Sequence, residues 1–168
     1  MVVLPETFGD EIRALLVVHP DLERFSIAYT DVESAEQLVV DSRASAKKGE
    51  IWIRHVDRRP EELGVTTGAT SYTEIDDWQI VVIDGLTNTA TQLAALRAID
   101  QCLRGVLLGS ATGRIQYVEG WKRITDRKAD TVQAFVVEFT SNYDNLLDGI
   151  GYVPAPAGFP YTFPYTLA

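Results

Sequence analysis

Cysteine occurs once, at Cys102, so no internal disulfide can form, and its place in a helical pattern points to a buried, reduced thiol. Long apolar runs are missing, and nothing approaches the roughly eighteen residues of a membrane span. The opening "MVVLPETFGDEIR" has no basic stretch and carries acids early, which speaks against a signal peptide. A soluble intracellular protein without membrane contact is the expectation. Histidine is scarce: His19 and His55 stand 36 positions apart, neither in ligand spacing, so no zinc pattern exists. No G-x-S-x-G occurs, which removes the nucleophile elbow of hydrolases. "LLGSATGR" lacks a following Lys-Ser/Thr and leads into a strand, so it is a turn and not a phosphate loop.

Positive charge is also in short supply. Fifteen lysines and arginines face 24 acids, for a net charge of −9. Residues 1–41 hold nine acids against Arg13 and Arg24; between Arg114 and Lys128, five basic residues meet two acids. Net acidity argues against a grip on phosphate backbones and fits a surface that repels DNA.

What is present is the material of a folded protein. The 168 residues are 46% hydrophobic and 23% charged, enough for one domain with an appendage. "TFGDEIRALLVVHPDL" predicts a helix from about Phe8 to Val18, with Thr7 as cap and Pro20 as stop. "RFSIAYTDV" and "EQLVVDS" read as two short strands, and "ASAKKGE" as a turn. "IWIRHV" (Ile51–Val56) alternates as a strand, and the polar stretch Asp57–Asp77 reads as a long loop suited to binding. "WQIVVIDG" (Trp78–Gly85) is a strand. The main helix follows, capped by Thr89 with Gln92, buried through Leu93, Leu96, Ile99, Leu103, Val106 and Leu107, and closed by Gly109. Strands near Ile115–Val118 and at Thr131–Thr140 are expected to pair antiparallel across a basic turn, Trp121–Lys128.

The last of these puts Val132, Ala134 and Val136 on one face and Phe135, Val137 and Phe139 on the other. A strand apolar on both faces is central, covered by the main helix on one side and by another element or another subunit on the other. The fold class is therefore α+β: a mainly antiparallel sheet of four to six strands packed against two helices. Residues 1–148 form the core domain, and 149–168 form an extended C-terminal arm.

Chemistry is thin. Asp76 and Asp77 begin a strand that Asp84 ends, too far apart at strand rise to share a metal, and Glu119 and Lys122 lack nuclease spacing. Solvated strand ends account for them, so no catalytic residue, metal or cofactor is expected. Arg54, Arg58 and Arg59 sit in a self-neutralised stretch that fits inter-subunit salt bridges or a solvated loop. Trp121, Lys122, Arg123, Arg127 and Lys128 make one small basic turn. The arm carries Tyr152, Phe159, Tyr161, Phe163 and Tyr165 among four of the chain's seven prolines, and no lysine or arginine. Exposed aromatics of this kind either fold back on their own domain or lie on a neighbour.

A helix ending at "HPDL", then "IWIRHV", "WQIVVIDG", a long Ala/Leu helix and a closing "VQAFVVEFTSNYD" together resemble the tail terminator (tail completion) proteins of tailed bacteriophages, above all those with contractile tails. The resemblance spans residues 5–144 and rests on element order. It implies a non-enzymatic virion protein of the tail or neck, assembled in the host cytoplasm. Such a protein forms a ring, as a homohexamer, that caps the tail tube, halts its polymerisation and receives the head connector, with the sheath as a further neighbour. DNA passes only through the lumen. Another neck or tail adaptor (a connector stopper or tube-like subunit) is the alternative, and a metal-dependent phosphodiesterase using Asp84 and Glu119 a more distant one.

Overall fold

Pro5 opens the first helix, since its ring presets φ and its missing N–H is unneeded in a first turn. In the computed structural model, which describes residues 3–45, 47–61, 71–85, 89–124 and 132–146, this helix is α1 (Pro5–Val17). It starts one turn earlier than expected, with Leu4 and not Thr7 as N-cap. Phe8, Ile12 and Leu16, four residues apart, are fully buried. A 3-10 turn at Pro20–Leu22 follows, where the His19 ring accepts the Asp21 N–H at 3.2 Å.

Next come β1 (Phe25–Thr30) and α2 (Ala35–Asp41). The expected second strand, "EQLVVDS", is thus a helix. Ser34 Oγ accepts the Gln37 N–H at 3.1 Å, and Gln37 reaches Asp41 one turn on at 2.7 Å. Ala35, Leu38 and Val39 are buried while Val40 is exposed, a helical rather than an alternating pattern. β2 (Gly49–Glu61), β3 (Ser71–Asp84), α3 (Thr89–Leu103), β4 (Gln116–Tyr117), β5 (Lys122–Ile124) and β6 (Gln133–Leu146) complete the order. Part of the expected basic turn is therefore strand.

The fold class is α+β as expected, with a six-stranded sheet ordered β1-β2-β3-β6-β4 and β5 also on β6. β1–β2 is parallel; the other pairs are antiparallel. The presumed loop Asp57–Asp77 is largely strand, since Asp57–Glu61 pair with Thr73–Asp77. Residues 62–70 lie outside the described set, as does the arm. Among the described residues no helix is long and apolar enough to cross a membrane.

Both sheet faces carry helices of this chain, the second face only in part. α1 and α3 bury Phe8, Ile12, Ile99 and Leu103 against Ile53, Ile80, Val137 and Phe139. On the opposite face, Leu38 and Val39 of α2 pack on Val81, Ile83 and Ala134. β6 alternates between the clusters as its pattern requires, sheltered by this chain's own helices. In α3 the buried stripe is Ala95, Leu96, Ala98, Ile99 and Leu103; Leu93 and Leu107 are exposed, against expectation. Gly105, at φ 71°, takes the left-handed conformation that ends the helix, a role assigned to Gly109 from sequence. The Thr89 side chain lies outside the described residues.

Gly49 begins β2 against the Phe25 ring, where an added Cβ would lie 2.4 Å from a ring carbon and 3.2 Å from the Ile83 carbonyl. Gly49→Ala is expected to cost about 1–3 kcal/mol through overpacking. A lower urea midpoint at unchanged slope would register it.

Candidate assembly surface on the extended strands

β2, β3 and β6 run on past the short strands, and of the residues expected to carry function Arg58 and Arg59 lie on this extension, with Arg54 just before it. A register shift between His55 and Asp57 sets their directions. Before it, odd residues of β2 face α1; after it, even ones do, so His55 and Arg58 meet on one face and Arg54 and Arg59 share the other.

On the α1 side, Asp76 is fully buried. It accepts Arg58 Nε at 2.8 Å and Nη2 at 2.9 Å, and His55 Nε2 lies 2.8 Å from its Oδ1. Burial alone would push this carboxyl up; the His55 and Arg58 hydrogen bonds outweigh it and hold Asp76 below the usual carboxylate range. Arg58 is raised, its burial outweighed by Asp76. The guanidinium lies 5.0 Å from the Tyr143 ring, which packs on Phe8, and Trp78 packs edge-on to His55. With both oxygens taken, Asp76 is a pin between strands.

The other carboxylates weighed for chemistry are likewise tied down. Asp84 accepts both Arg24 nitrogens, Nη1 at 3.0 Å. Asp77 holds Arg59 at 3.2 Å, and Glu119 pairs with Lys122 on the surface. Among the described residues no three metal-ligating side chains gather. A carboxylate already neutralised by a forked arginine is a poor metal ligand, and this weighs against Asp84 as a phosphodiesterase centre.

On the opposite face, beyond α2, Arg54, Gln79 and Glu138 stand in register across three strands. Arg54 Nη1 donates to Gln79 Oε1 at 2.6 Å, and Gln79 Nε2 donates to Glu138 Oε1 at 2.8 Å. Arg54 also donates to the Val32 carbonyl at 2.7 Å and to that of Glu33, pinning the link between β1 and α2. Beside this row is a hollow of about 290 Å³, lined by Val56, Arg59, Asp77 and Val118 among others. Val56 and Val118 are 44% and 59% exposed.

No protein-family model matches the chain, and no curated protein matches it. The fold is similar to a chain of the solved structure "Virion of native gene transfer agent (GTA) particle", at 18% sequence identity and a TM-score of 0.45, over 80% of this chain and 84% of that one.

Of the residues singled out from sequence, Arg54 is buried and Arg58 largely so, both bonded within the chain, while Arg59 stays more than half exposed. Trp121 is half-buried and donates its Nε1 to Asp100 at 3.0 Å; Lys122 and Arg123 are exposed on β5. β3 and β6 separate that group from the arginines of β2, so the two sets are not brought together. Arg127, Lys128, Tyr152, Phe159, Tyr161, Phe163 and Tyr165 lie outside the described residues. Sequence reasoning missed Gln79, Glu138, Val56 and Val118. A usable signal existed: reading "HVDRR" and "EIDDW" as two arms of one hairpin pairs Arg58 and Arg59 with Asp76 and Asp77.

Proposed function

We propose that the chain is a structural protein of a tailed-phage virion, a tail terminator that closes into a ring on the finished tube, stops its polymerisation and presents a docking surface to the head connector. The observation that carries this reading is the half-face beyond α2. Its polar row is already hydrogen-bonded internally, exposed valines flank it, and no described element lies over it. Such a surface suits a protein partner, because its polar groups need no new bonds and its apolar groups gain from cover. The element order that resembles the terminator family supports the same reading, and the charge of −9 suits a lumen through which DNA slides without sticking.

The partners are other copies of the chain, six to a ring, together with the tail tube, the sheath and the head connector, at the neck of the virion. The arm, residues 149–168, clasps the next subunit. Light scattering on the purified protein tests this: a fixed multiple of the 18.6 kDa chain is expected. Removing residues 149–168 should shift the mass toward a single chain while the thermal midpoint holds. A compact monomer at every concentration would overturn the reading. Loss of thermal stability without change of mass would place the arm on its own domain.

A further inference from the structure

The edges of this sheet are protected unequally. Past the end of β1, the outer side of β2 carries Asp57, Arg58, Arg59, Pro60 and Glu61, charges and a proline that discourage a further strand. On the far side β4 and β5 are only two and three residues long. β1, "FSIAYT", has neither device: six residues without charge or proline, and among the described residues no strand on its outer side. The Arg24 carbonyl accepts the Gly49 N–H at 3.3 Å, so by alternation Ser26, Ala28 and Thr30 turn toward β2, and Phe25, Ile27 and Tyr29 turn outward. The Ile27 carbonyl agrees, since it accepts Arg13 Nε of α1 at 3.0 Å, and an added strand would share that carbonyl with Arg13 through its second lone pair.

The sequence of residues 153–167 has a matching regularity. Pro154, Pro156, Pro160 and Pro164 all fall on even numbers. An extended chain turns alternate N–H groups to opposite sides, so one side keeps every N–H from Val153 to Leu167. A sheet tolerates proline where the missing N–H faces away from the ladder, and this spacing meets that condition at all four positions. The same alternation places Phe159, Tyr161, Phe163 and Tyr165 on one face.

We propose that residues 153–167 of a second copy add as a strand to the outer edge of β1. The proposal rests on the reading of the chain as a ring subunit and deepens it. Added antiparallel, the odd residues lie opposite Phe25, Ile27 and Tyr29, with their aromatic rings on the α1 side of the sheet. There Gly9 meets the Tyr29 ring and Arg13 meets Ile27, and Val17, next on that line of α1, is 54% exposed and apolar. The donor is taken as a second copy from the ring reading, and sedimentation decides it, because an arm folded back on its own β1 would leave assembly indifferent to parity. Thr30 is level with Glu138 in the register, and β6 continues in the direction of β1 for eight further residues to Leu146. The arm thus starts past the end of β1, with β3 and β2 between it and that strand.

Proline parity is the test, in the full-length protein by sedimentation. Ala157→Pro with Phe163→Pro removes odd N–H groups, Gly158→Pro with Thr162→Pro removes even ones, and Phe163→Ala measures the lost ring. The odd pair is expected to weaken assembly about tenfold or more beyond Phe163→Ala, the worth of a buried ladder hydrogen bond, and the even pair to leave it unchanged. Amide exchange at Phe25, Ile27 and Tyr29 should be slow in the assembled wild type and fast in the odd pair. An assembly indifferent to parity, or β1 amides that do not respond, overturns strand addition and leaves the ring standing. A wild-type chain that never associates removes both.

Discussion

Asp76→Ala is expected to destabilise the fold by about 3 kcal/mol, because it strands Arg58 and His55 around a site built for one buried carboxylate. For a domain of this size that is a fall in thermal midpoint on the order of 10 °C. The pH dependence gives the claim a sharper form. Asp76 is held below its ordinary value, so its contribution is present above the unfolded carboxylate value of about 3.9 and is lost as pH falls through the lower folded value. Wild type and Asp76→Ala should therefore differ fully at pH 7 and converge in acid. Urea midpoints at neutral pH and in acid check this; a gap that stays constant would show that the ionised form of Asp76 is not what stabilises. Arg58→Ala combined with Asp76→Ala should cost less than the two separately, as expected for residues sharing one network.

This cluster also shows where sequence reading reaches its limit. The alternation of β6 was legible because every residue from Gln133 to Phe139 lies in one unbroken strand with a core on each side. The continuation of β2 was not, because Asp57–Glu61 and Thr73–Asp77 look like a solvated loop until the two arms are opposed and their charges pair. Nor does composition reveal the register shift beside Val56, although that shift decides that Arg58 and not Arg59 reaches Asp76. α2 was misread for a third reason. Val39 and Val40 have strand propensity, which the Ser34 cap and the packing of Leu38 and Val39 on Val81 override. Sequence singles out charged and aromatic residues as interface candidates and passes over Gln79 and Glu138, which become a row only through three strands in register.

Trp78→Ala carries the other large expected effect. The indole is 1% exposed and joins the helix-covered core to the strand extension: it packs on Phe139 at 6.5 Å and on His55 at 5.0 Å, with Tyr29 beyond. Its Nε1 donates to Ser141 Oγ at 2.9 Å, a bond between β3 and β6 inside the core. Truncation leaves a cavity and a buried hydroxyl without that donor, for about 3–5 kcal/mol. Trp78→Phe keeps an apolar ring and loses the donor, so it should cost clearly less, and Ser141→Ala alone less again because it removes an acceptor without opening a comparable cavity. Urea midpoints for the three variants should therefore rank alanine at 78 lowest, phenylalanine next and alanine at 141 nearest wild type. Should Trp78→Phe be as damaging as Trp78→Ala, the hydrogen bond to Ser141, and not the volume of the ring, would be what holds the extension to the core.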